Sequence, residues 1–164
     1  MEIREIVPGT DLEKIKLMFR QYFTWITEDN KINLSYQGVE KELDELPGVF
    51  SPPEGCLLIA ETEGKPMGCV ALRSFKPGIC EMKRLFVKPE CRGTGLGRAL
   101  AKKVIQEAKN KGYHKMLLDT GDFMVAAQIL YNSLGFEKTD QYYDVPADVL
   151  KRTVFMELSL DDTP

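Results

Sequence analysis

The sequence has no excess of basic charge. Its 22 Lys and Arg are outnumbered by 25 Asp and Glu, for a net charge of −3 and a pI near 5.3. That balance excludes a nucleic-acid backbone as main partner, because such binders carry a basic footprint. A local basic patch for a phosphorylated ligand is still allowed. No stretch approaches the roughly 20 apolar residues of a membrane span, so no membrane partner is expected. The start, Met1-Glu2-Ile3-Arg4-Glu5-Ile6, alternates like a strand and lacks the apolar run of a signal peptide. Cys56, Cys69, Cys80 and Cys91 are spaced by 13, 11 and 11 residues. This fits no C-x-x-C metal or redox pattern, so no metal is expected and the cysteines read as free thiols in a reducing compartment. Repeats and low-complexity linkers are lacking too. The expectation is a cytoplasmic protein of one domain, residues 1–164, able to bury roughly two-thirds of its unfolded surface without staples.

What is present is an orderly series of strand and helix signals. Residues 2–7 read as a strand ended by Pro8-Gly9. Asp11 then caps a helix whose apolar positions Ile15, Met18, Phe19, Tyr22 and Ile26 keep the helical period. Residues 28–35 read as loop, and 36–46 as an acidic helix stopped by Pro47-Gly48. Strands are expected at 56–61 and 67–72, around the turn Gly64-Lys65-Pro66, and at 79–87 after Pro77-Gly78. A long helix over about 95–111 carries a buried stripe of Leu96, Ala99, Leu100, Val104 and Ala108, and Gly112 ends it. Residues 115–119 read as a buried strand, 124–134 as a helix ending at Gly135, and 136–139 and 153–160 as the last strands. The order β-α-α-β-β-β-α-β-α-β-β predicts an α/β fold with a mixed sheet: hairpins first, then a right-handed parallel crossover.

The chemistry concentrates where the third hairpin strand meets the long helix, at Arg92-Gly93-Thr94-Gly95-Leu96-Gly97-Arg98. Glycines let backbone N–H groups converge with no Cβ in the way. The helix start adds unsatisfied donors and about half a positive charge. Together they form a phosphate or pyrophosphate site, with Arg92 and Arg98 adding charge-assisted hydrogen bonds. A P-loop is absent, and the G-x-G-x-G spacing departs from the G-x-G-x-x-G of a dinucleotide fingerprint. Asp119 ends the next strand as a ribose-binding acid would, which keeps a nucleotide-dependent oxidoreductase in play.

At these residues the sequence resembles the GNAT superfamily of N-acetyltransferases. Arg92-Gly93-Thr94-Gly95-Leu96-Gly97 is similar to its Q/R-x-x-G-x-G/A coenzyme A motif, and Leu85-Phe86-Val87-Lys88-Pro89 to the strand leading into it. Leu130-Tyr131-Asn132-Ser133-Leu134-Gly135-Phe136 resembles the family's helix-to-strand signature. The resemblance covers nearly the whole chain. It implies a GNAT-like mixed central sheet of about seven strands flanked by about four helices, acetyl-CoA as co-substrate, and transfer of an acetyl group to the amine of a small molecule by direct attack in a ternary complex. Backbone groups of Leu85, Phe86 and Val87 would bond the pantetheine arm like an added strand. The N–H groups from Arg92 to Arg98 would hold the pyrophosphate, and a bulge would splay the strand from its parallel neighbour.

Tyr131 occupies the place of a tyrosine that protonates the leaving thiolate, and a backbone N–H near Phe86 or Val87 would polarise the thioester carbonyl. One departure is Met124, where many members carry an Asn that contacts coenzyme A. An alkylamine is mostly protonated at neutral pH, so a base is needed. Glu81 is the candidate, resembling a catalytic glutamate of some lysine-acetylating members. It can equally be paired with Lys83 or Arg84 nearby. The resemblance places the acceptor against Tyr22, Trp25 and Tyr142, with Tyr36 and Tyr143 alongside, where aromatics beside carboxylates suit a cationic amine. Lys83, Arg84 and Arg73 would instead suit an acceptor's carboxylate. His114, the only histidine, is expected at the opposite end and is given no role. Two other readings stay open, an acyl-CoA-binding sensor without turnover and a protein or peptide acetyltransferase. Homodimers are frequent in the family, although no segment shows a decisive exposed apolar stripe.

Overall fold

Apolar strands and amphipathic helices alternate along the chain and build one mixed sheet covered on both faces. The computed structural model describes residues 1–161. The elements run β1 (Glu2–Glu5), α1 (Leu12–Thr24), α2 (Val39–Glu45), β2 (Cys56–Thr62), β3 (Lys65–Lys76), β4 (Ile79–Val87), α3 (Leu96–Asn110), β5 (Lys115–Gly121), α4 (Val125–Ser133), β6 (Glu137–Lys138), α5 (Ala147–Leu150) and β7 (Thr153–Ser159). The sheet order is β1-β2-β3-β4-β5-β7-β6. All neighbours are antiparallel except β4 and β5, the predicted crossover pair. Among the described residues no helix is long and apolar enough to cross a membrane.

Strand alternation divides the buried side chains into two cores. Leu58, Val70, Leu72, Met82 and Met116 pack beneath Leu100, Ala101 and Val104 of α3. Leu57, Ile59, Ala71 and Phe86 point to the other face, under Ile15, Met18 and Phe19 of α1. Phe19 meets Phe23 and Phe50 edge to face, with ring centroids 6.2 and 6.1 Å apart. Each such fully buried side chain contributes about 1.5–3 kcal/mol of transfer free energy.

Several local expectations change. Asp11 stands at the start of α1 but makes no side-chain cap. Its carboxylate instead accepts from the Val7 N–H and from both terminal nitrogens of Arg4, tying β1 to the helix. The polar stretch after α1 is not loop at once, since the chain continues as a π-helical turn over Trp25–Asp29. Thr27 Oγ1 and Asn30 Nδ2 donate back to the carbonyls of Phe23 and Trp25, which stabilises that turn. The acidic helix is broken by a left-handed Gly38, so a 3-10 turn at Ser35–Gln37 precedes α2. A fifth helix, α5, exceeds the expected four because four residues are too few to display a period. The strand expected at 136–139 keeps only the pairs Glu137↔Glu157 and Lys138↔Met156.

Candidate active site

The parallel pair β4–β5 holds together for three register positions and then parts. Ile79, Cys80 and Glu81 face Lys115, Met116 and Leu117, and beyond them the ladder ends. The cause lies on the other edge of β4, where Cys69↔Phe86 is followed by Ala71↔Lys83. Three steps on β4 therefore oppose two on β3, which is a bulge. Arg84 sits at it with φ of 58°, a left-handed conformation unusual for a non-glycine residue and sustained only by surrounding contacts. Those contacts are ample. Its guanidinium binds Glu42 through Nε at 3.1 Å and Nη2 at 3.0 Å, donates to Gln37 at 2.8 Å and lies 4.8 Å from the Phe23 ring centre.

The splay leaves one edge of β4 open past Glu81, and that edge runs straight into the glycine-rich turn. Gly93 and Gly95 have φ of 77° and 86°, with open space where a Cβ would stand. Gly95 caps α3, so the N–H groups of Leu96, Gly97 and Arg98 have no intrahelical acceptor. Arg98 donates to Ser133 Oγ at 2.7 Å and Thr94 Oγ1 to the Cys91 carbonyl at 2.7 Å.

Edge and turn form one wall of a cavity of about 480 Å³. Tyr22, Trp25 and Tyr36 form another part of its wall, and Asp119 is the one carboxylate on it among the described residues. Asp119 accepts from the Tyr143 hydroxyl at 2.9 Å and lies 3.5 Å from Lys83 Nζ. Burial pushes its carboxyl up, but Lys83, the Tyr143 bond and Arg84 outweigh this and hold it below the usual carboxylate range. It is therefore anionic at neutral pH. Tyr131 opens into the same cavity, and burial raises its pKa above that of a free phenol. A group of that kind stays protonated and is available as a donor.

A sequence with this geometry matches the model of the Acetyltransferase (GNAT) family over residues 15–136. The chain belongs to the GNAT family of acetyltransferases. It is 40% identical to an uncharacterized N-acetyltransferase of Schizosaccharomyces pombe, over 92% of this chain and 89% of that one. Its fold is similar to that of a GNAT-family acetyltransferase from Staphylococcus aureus, with TM-score 0.78 and 20% identity over 98% and 99% of the two chains. It is also similar to YncA, a putative acetyltransferase from Salmonella typhimurium with its cofactor acetyl-CoA, with TM-score 0.69 and 26% identity over 100% and 96%. Membership removes the oxidoreductase reading of Asp119.

Within this GNAT domain, most residues singled out from sequence converge. Leu85, Phe86, Val87, Arg92, Gly93, Gly95, Leu96, Gly97, Arg98, Tyr131, Tyr22 and Trp25 all border the cavity, whereas Thr94 does not. Met124 borders it too, with the Thr120 hydroxyl 3.2 Å from its sulfur. Glu81 and Tyr142 stand behind the wall and bind each other, the Tyr142 hydroxyl donating to Glu81 at 2.5 Å. Glu81 is wholly buried, accepts from Arg73 Nε at 2.7 Å and approaches Lys83 Nζ at 3.9 Å. The bulge explains its face: Lys83 and Arg84 point the same way as Glu81, while Leu85 and Val87 turn into the α3 core. Two residues with larger parts than the sequence suggested are Asp119 and Arg84. Burial pushes the thiols of Cys56, Cys69 and Cys80 up to about 12, so these three stay protonated. That suits no acyl carrier.

Proposed function

We propose that this GNAT member transfers the acetyl group of acetyl-CoA to the amine of a small molecule, by direct attack. The observation carrying this reading is the open β4 edge followed, after a 3-10 turn at Pro89–Cys91, by the positive-φ turn and the α3 N-terminus. The residues fit the cofactor: Leu85 to Val87 would pair with the pantetheine arm, and the N–H groups from Gly93 to Arg98 would bind the pyrophosphate, with Arg92 and Arg98 beside them. A volume of about 480 Å³ lies within the range of small-molecule sites.

The protein's part in the reaction is positioning and proton handling. The acceptor nitrogen attacks the thioester carbonyl carbon as the C–S bond breaks, and an N–C bond forms. A backbone N–H of Phe86 or Val87 stabilises the developing oxyanion. Tyr131 gives its proton to the leaving sulfur. The acceptor ammonium loses one proton to solvent before it attacks, and the second, released as the N–C bond forms, passes through water to Asp119, the carboxylate on the wall, while Glu81 fixes Arg73, Tyr142 and Lys83 behind it. The acidic balance and unpaired cysteines support a cytoplasmic location.

Titration calorimetry with acetyl-CoA, with NAD in parallel, tests the reading. Micromolar binding of acetyl-CoA that is lost in Gly95→Glu supports it and leads to an amine panel. Preference for NAD, or no binding, sinks it.

A further inference from the structure

Arg92 makes two contacts that compete with the roles of its neighbours. Its Nε donates to the Val87 carbonyl at 3.2 Å, on the strand edge assigned to the pantetheine arm. Its guanidinium carbon also lies 5.2 Å from the centre of the Trp25 ring, within the range of a cation–π contact. Trp25 borders the cavity from the opposite side, on the π-helical turn after α1. The indole packs edge-on against Phe123, with centroids 5.7 Å apart, and Phe123 carries the Arg152 guanidinium 5.1 Å from its own centre. Arg152 is anchored to the Asn30 carbonyl and to Asp122. The Phe123 end of this row is thus fixed. The Arg92 end is exposed, and two of its three guanidinium nitrogens make no hydrogen bond among the described residues.

We propose that Arg92 serves two sites in turn: over Trp25 it is an internal cation occupying the indole face, and drawn to the coenzyme A pyrophosphate it yields that face to a cationic acceptor. This rests on the cofactor reading above and adds the acceptor's charge and the place where it binds. The physical basis is an exchange of like for like. A pyrophosphate offers a guanidinium bidentate, charge-assisted hydrogen bonds, which are stronger than a half-exposed cation–π contact. The vacated π face keeps its attraction for a positive charge, and an acceptor ammonium is the complementary group. Loading of one substrate thereby completes the binding surface for the other, a positive coupling between two sites.

Trp25 is the only tryptophan in the chain, so its fluorescence reports this exchange directly. Wild-type protein is titrated with coenzyme A and with pantetheine, which lacks the pyrophosphate, while calorimetry measures binding independently. Coenzyme A is expected to shift Trp25 emission and change its quenching by acrylamide; pantetheine is expected to do neither. n-Butylamine, a cation at neutral pH, then perturbs Trp25 only in the coenzyme A complex, and n-butanol does not. In Arg92→Gln, coenzyme A binds about tenfold more weakly, Trp25 no longer responds to it, and butylamine perturbs the indole without it. If calorimetry shows coenzyme A binding but Trp25 stays silent, or if butylamine acts equally with and without coenzyme A or not at all, the exchange is wrong and the cofactor site stands. If coenzyme A does not bind, the cofactor reading fails and takes the exchange with it.

Discussion

Two clusters of buried and partly buried acids and bases in this molecule are built from nearly the same parts. In the first, Asp11 and Glu61 lie between Arg4 and Lys14, joining β1, α1 and β2. In the second, Glu81 and Asp119 lie between Arg73 and Lys83, where β4 and β5 part. The first is closed: all four carboxylate oxygens accept from a cation at 3.0 Å or less. The second is closed only at Glu81. Asp119 has a long contact to Lys83 and one hydroxyl bond, and the rest of its accepting capacity faces the cavity. The same chemistry thus holds the fold where it is saturated and supports reactivity where one carboxylate is left incomplete.

That contrast is sharpest at Asp119. Asp119→Asn is expected to lower kcat/KM by about a thousandfold, with coenzyme A affinity and melting temperature little changed, checked by steady-state kinetics and a thermal melt. A large loss of stability at unchanged rate would erase the difference between the clusters. In the closed cluster, Asp11→Asn is expected to cost about 2 kcal/mol, because it removes the negative charge and one of the two oxygens that Arg4 binds and leaves Arg4 on Glu61 alone, while coenzyme A binding is kept. Denaturant unfolding measures this.

The closed cluster also predicts an acid limb of stability. The hydrogen bonds from Arg4 to Asp11 and from Lys14 to Glu61, each the largest effect on its carboxyl, hold both below their ordinary values of 3.8 and 4.5. Groups with depressed folded pKa values contribute stability above those ordinary values and lose it as pH falls through the folded ones. Melting temperature should therefore drop as pH is lowered from about 4.5, and the drop should be shallower in Asp11→Asn. Tyr131→Phe should lower kcat about a hundredfold with coenzyme A affinity retained. The smallest effect is expected at Glu81→Gln, about tenfold in kcat/KM, because Glu81 acts through Tyr142 and Lys83. A loss at Glu81 equal to that at Asp119 would make Glu81 the proton acceptor and reverse the assignment.

The half of the cavity proposed for coenzyme A was legible in the sequence because its residues are contiguous. Arg92 to Arg98 combine the glycine conformations, the helix start and the two guanidiniums within seven residues. Helix and strand periods likewise fixed most of the sheet. The acceptor half was less legible because its determinants are dispersed. The bulge at Arg84 has no glycine to mark it and depends on Glu42 and Gln37, about 45 residues away in sequence. Strict alternation would put Leu85 and Val87 on the face of Glu81, whereas the extra residue moves them to the other one. Asp119 showed only as a strand-terminal acid, since Lys83 and Tyr143, which set its charge, come from β4 and the segment after β6. Asp11 sits where a helix cap is expected, and only the position of Arg4 reveals that its carboxylate serves the neighbouring strand instead.

The extra residue in β4 has a consequence for how such a domain can diversify. A strand in unbroken register transmits any slip along its whole length, turning every side chain to the opposite face. At Arg84 the phase is reset, so the two halves of the strand vary as separate segments. On the proposed assignment, changes ahead of it would alter the choice of acceptor and changes after it the grip on coenzyme A. A lineage built on this strand can retool its acceptor end by drift while its coenzyme end stays fixed.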